Sequence, residues 1–69
     1  MSPFAILLRT EPNTKIQEFY LASYWAIHSK TRAGREAHSK NRDSIWESLS
    51  KDEQTLAATG WRTYLRNNK

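Results

Sequence analysis

Both prolines of this chain, Pro3 and Pro12, fall within its first twelve residues, and no later position carries one. Proline lacks a backbone donor and breaks a helix interior. Its confinement to one end predicts an irregular or extended start followed by uninterrupted helices. Gly34 and Gly60 are the two glycines and the remaining strong breakers. At 69 residues the chain makes one domain at most, and a chain of that size buries only about 60% of its unfolded surface. We therefore expect a single all-α domain. Residues 1–12 form an extended N-terminal segment, and residues 13–67 form a compact three-helix core.

The apolar spacing supports this layout. "AILLR" at 5–9 is compatible with a short strand, an extended arm or one helical turn, and Pro12 stops it. Asn13 is a suitable N-cap for the residues after it. Ile16, Phe19, Tyr20, Ile27 and Tyr24 share one helical face, with Ser23 and Ala26 beside them. Leu21 and Trp25 form an i,i+4 pair that points elsewhere. The helix runs to about residue 29.

The last helix is the clearest. "SKDE" at 50–53 matches a capping box, in which Ser50 caps the Glu53 amide and Glu53 reaches back. Over residues 51–66, Leu56, Ala57, Gly60, Trp61, Tyr64 and Leu65 fall on one side, and Arg62 and Arg66 on the other. Asp52 and Glu53 suit the positive end of the helix dipole. The middle helix is fixed only around "RDSIWESL", where Ile45, Trp46 and Leu49 are its apolar anchors. Its start is open. Gly34 lowers helix propensity by about 1 kcal/mol relative to Ala, whereas Arg32–Glu36 and Glu36–Lys40 have helical i,i+4 spacing. A start near 31 and one near 41 both fit.

The charge is concentrated. "HSKTRAGREAHSKNR", residues 28–42, sets five bases (Lys30, Arg32, Arg35, Lys40, Arg42) against one acid, Glu36. That local balance of +4 equals the net charge of the whole chain. If residues 31–49 are one helix, Arg32, Arg35, Ser39, Arg42 and Trp46 lie within about 80° of one another. Such a basic stripe is a common footprint on nucleic acid. The bland alternative is a solvated charged face. Trp46 itself fits the core better than a ligand surface.

Other chemistry is thin. There is no cysteine, hence no disulfide framework and no thiolate metal site. His28 and His38 stand ten residues apart, which is not the i,i+4 spacing of a helical metal pair. No phosphate-binding glycine loop or nucleophile–base set is present. We expect no enzyme, no cofactor and no metal. No apolar run approaches the roughly 20 residues that span a bilayer, and a soluble, intracellular protein is expected.

Leu21 and Trp25 lie off the main face of their helix. They either pack on the N-terminal segment or meet a partner, since tryptophan is enriched at interface hot spots.

One stretch carries a family resemblance. In "IWESLSKDEQTLAATG", residues 45–60, Trp46 is followed by Leu49, Ser50, Glu53, Leu56 and Ala57. This resembles the junction between the second and third helices of HMG boxes. It covers about a quarter of the chain. The resemblance implies a three-helix domain that binds and bends DNA in the minor groove. It also implies an apolar wedge on the first helix, for which Tyr20 and Trp25 are the candidates, and a basic end to the third helix, here Arg62, Arg66 and Lys69. A helix-turn-helix using "LAATGWRTYLRNN" fits less well, because the Ala57–Gly60 spacing is one short.

The expected function is thus non-enzymatic binding of nucleic acid, double-stranded DNA in the first place. It uses Lys30, Arg32, Arg35, Lys40, Arg42, Arg62 and Arg66, mostly on phosphates, with low sequence selectivity. The alternative is a small helical adaptor or inhibitor that docks on an acidic protein surface.

Overall fold

A computed structural model of the chain describes residues 2–67. Four helices succeed one another: α1 (Pro3–Thr10), α2 (Thr14–His28), α3 (Arg32–Ser48) and α4 (Lys51–Asn67). Among the described residues there is no strand. The all-α expectation holds, and the helix count rises from three to four. Lys69 lies outside the described residues.

The correction concerns the start of the chain. Residues 3–10 are helical, not extended. Pro3 sits at the first helical position, where its missing N–H costs nothing because that donor has no intrahelical partner anyway. Ser2 is the N-cap, its Oγ accepting from the Ala5 N–H at 3.2 Å. Thr10 donates its hydroxyl back to the carbonyls of Ile6 and Leu7. The short helix is held by packing: the Phe4 ring stacks on Tyr24 at 4.2 Å and meets Tyr64 edge-on at 5.7 Å.

The open start of α3 is resolved near residue 31. Thr31 is its N-cap, accepting from the Gly34 N–H at 3.0 Å. A methyl group at Gly34 would lie 3.0 Å from the Thr31 hydroxyl, so the glycine fits closely under its own cap. The capping box of α4 is complete: Glu53 N–H donates to Ser50 Oγ (3.2 Å) and Ser50 N–H to Glu53 Oε1 (2.8 Å).

The centre of the core is Ile16, Phe19 and Tyr20 of α2, Leu49, and Ala57 of α4. Phe4, Leu7, Leu8, Ile45, Trp46 and Trp61 pack around it, partly buried. Three residues expected on apolar faces are exposed: Ile27 (53%), Leu56 (62%) and Leu65 (44%). On α4, Leu56 and Leu65 stand about 100° and 80° from the buried Ala57, at the two edges of the face. Ile27 is one residue from the end of α2.

Candidate nucleic-acid interface

Because α3 is unbroken from Arg32 to Ser48, its basic residues form an ordered row. Arg32, Arg35, Ser39 and Lys40 line a shallow depression with Glu36 and with Ala26 of α2. One turn further on, Arg42 and Trp46 line a cleft of about 460 Å³ with Asp43, and α4 supplies Ala58, Trp61, Arg62 and Leu65 as its other wall. Phe19 of α2 completes it. The cleft thus joins the α3 stripe to Arg62, a residue far away in sequence.

Every arginine of the stripe has an internal partner. Arg32 Nε pairs with Glu36 Oε1 at 3.1 Å, both side chains largely exposed. Arg35 Nη1 donates to the Ser29 carbonyl at 3.0 Å, closing the C-terminal end of α2. Arg42 gives its Nε and Nη2 to Asp43 Oδ1. Exposed pairs of this kind contribute about 0.2–1 kcal/mol, so they orient the guanidinium groups without locking them away from an anion.

The remaining candidates divide. Lys30 and Lys40 are exposed, Lys30 in the connection before α3 and Lys40 on α3 about 160° around the helix from Arg42. Arg66 is exposed on α4 about 180° from Ala57 and does not line the cleft. Tyr20, a wedge candidate, is 2% exposed. Its ring is stacked near Trp61 and its hydroxyl points at Gly60. It is a core residue and presents nothing to a partner. Burial, with a smaller contribution from the Glu11 carboxylate, pushes its phenol above the ordinary tyrosine value. Trp25 is 45% exposed, edge-on to Tyr24 at 5.2 Å. It shares a second groove with Glu18, Leu21, Ala22, His38, Asn41 and Ile45.

The aromatic side of the cleft is not evident from the sequence. Trp46 and Trp61 are half-buried, packing on the core and lining the cleft at once. The hints are Trp46 at the end of the basic stripe and Trp61 beside Arg62. The register of α4 against α3, which brings them together, is a tertiary fact.

Among the described residues, no cluster of three His, Asp or Glu side chains is placed to hold a metal ion. None of the described helices is long and apolar enough to cross a membrane. No family model, no curated protein and no solved structure matches the chain.

Proposed function

We propose that the protein binds nucleic acid non-enzymatically, with the α3 row and Arg62 as its contact surface. The observation that carries this is the alignment of Arg32, Arg35 and Arg42 on one face of an unbroken helix, with Arg62 lining the same cleft as Arg42. Guanidinium groups fork onto phosphate oxygens, and Ser39 adds a neutral donor. Contacts confined to phosphates give affinity with little sequence selectivity and a steep salt dependence. Of the two wedge candidates that the HMG-box resemblance offers, Trp25 is the exposed aromatic.

The test is a titration of duplex DNA at two salt concentrations, with the parent and with the Arg32→Gln/Arg35→Gln/Arg42→Gln variant. The variant should keep its helical circular dichroism. It should lose affinity equally for unrelated sequences, and its salt slope should shrink by up to about 3, since each lost phosphate contact removes about 0.9. Unchanged affinity and slope would show the row to be a solvated face.

A second reading has its own observation. Leu21 (40% exposed) and Trp25 (45%) lie together along the groove between α2 and α3. A helical adaptor would use that groove for a protein partner. Its signature is a complex that Trp25→Ala abolishes, with no DNA binding at physiological salt.

A further inference from the structure

We infer that the cleft between α3 and α4 is a base-binding subsite: it takes one unpaired nucleobase against Trp46 and Trp61, while Arg42 and Arg62 hold the adjoining phosphates. This rests on the proposed nucleic-acid binding and deepens it, because it selects single-stranded over duplex ligands.

The two tryptophans are built as platforms. Each rests against a buried ring: Trp46 lies 5.3 Å from Phe19 at 41°, and Trp61 lies 6.2 Å from Tyr20 at 21°. Each also lines the cleft. A ring already held by a neighbour loses little freedom when a base stacks on it. Ala58 brings a single methyl to the wall and leaves room, and Leu65, 44% exposed, adds an apolar side. At about 460 Å³ the cleft falls within the range of roughly 300–1,000 Å³ typical of small-ligand sites.

The charge at the rim fits the rest of a nucleotide. Arg42 and Arg62 bring two guanidinium groups to an apolar aromatic space, against one carboxylate, Asp43. Asp43 Oδ1 takes the Nε and Nη2 edge of Arg42. This pair is exposed on the carboxylate side (68%) and gives way to a phosphate at small cost. From Arg42 the row continues along α3 to Arg32, about 15 Å at the helical rise, so a strand leaving the cleft stays on basic ground. A duplex presents the same phosphates but keeps its base faces inside the stack.

The experiment uses a thymidine strand of about twelve nucleotides, an abasic strand of the same length, a duplex, and a polyglutamate peptide. Affinities are measured with the parent chain, and emission with Trp25→Phe, in which only Trp46 and Trp61 report. We expect the thymidine strand to quench tryptophan emission and to bind about ten-fold tighter than the abasic strand, the size of one stacked base. The abasic strand should bind without quenching. Ala58→Leu, which fills the cleft with a good helix former, should keep the abasic affinity and erase the preference for thymidine. Equal binding of the two strands without quenching overturns the subsite and leaves the phosphate reading standing. Failure of every nucleic acid to bind removes both. Quenching by polyglutamate but not by thymidine assigns the cleft to a protein partner, and a thymidine preference that survives Ala58→Leu places the base elsewhere; each overturns the proposal.

Discussion

Gly60 decides how closely α4 approaches α2. A methyl group there would collide with the Tyr20 hydroxyl and sit 3.1 Å from the ring carbon that bears it. Tyr20 is buried and cannot swing out without opening the core. Gly60→Ala gains about 1 kcal/mol in helix propensity, but forced overpacking costs about 1–3 kcal/mol. We expect the collision to win, with a net loss near 1 kcal/mol in denaturant melts. Tyr20→Phe in the same chain should recover most of it, because the worst contact is with the hydroxyl. Additive losses in the double variant would show that the two residues do not meet. Ser23 is a different case. Its hydroxyl is buried and makes no hydrogen bond, so Ser23→Ala should raise stability by about 1 kcal/mol; a lower melting point would mean that the hydroxyl has a partner.

At the level of elements, the α1–α2 and α3–α4 junctions are built alike. In each, a carbonyl in the last turn of one helix accepts the N–H of its C-cap and the side-chain amide of a glutamine in the next helix. Leu8 O takes Glu11 N–H and Gln17 Nε2, and Trp46 O takes Leu49 N–H and Gln54 Nε2. Both glutamines stand four residues after an N-cap, Asn13 or Ser50. Glu53 ties the two junctions together, accepting from Ser50 N–H and, at 2.6 Å, from Asn13 Nδ2. The hydrogen bond from the Ser50 backbone, then that from Asn13, hold the Glu53 carboxyl below its ordinary value. A carboxylate with a lowered folded pKa stabilises the fold above its unfolded pKa, about 4.3. That contribution is lost as pH falls through the folded value. Glu53→Gln should therefore melt lower than the parent at neutral pH, and the two curves should converge in acid. A gap that stays constant down to pH 2 would assign the loss to packing instead of charge. This junction chemistry also marks what the sequence could show. The α4 box was legible because its residues are neighbours in sequence. The α1 helix was not, because Pro3 reads as a breaker unless Ser2 is recognised as the cap in front of it. The start of α3 stayed open because Gly34 argues against a helix, and only the Thr31 contact explains it. The Asn13–Glu53 bond and the Trp46–Trp61 cleft join residues that no local pattern connects.

For the whole molecule, the deciding fact is that a small core carries a concentrated charge. The fully buried residues are few, the body measures 30 × 29 × 18 Å, and stability of roughly 3–5 kcal/mol is the expectation for such a domain. The net charge of +4 resides in residues 28–42 whether or not they are folded. An unfolded chain with that segment would also release counterions from DNA, so binding alone does not show that the fold matters. Thermal stability does. A ligand that binds only the folded state adds about 2.7 kcal/mol at a concentration one hundred times its Kd. Each kcal/mol moves the midpoint of a 60–100-residue domain by about 4–8 °C. If the ordered row on α3 and the cleft with Arg62 form the surface, saturating oligonucleotide should raise the melting point by about 10 °C or more. The Arg32→Gln/Arg35→Gln/Arg42→Gln variant should lose most of that rise while melting, without ligand, near the parent. A parent that binds DNA but melts at the same temperature with and without it would mean that folded and unfolded chains bind equally. The arrangement of arginines on α3 would then contribute nothing beyond its charge.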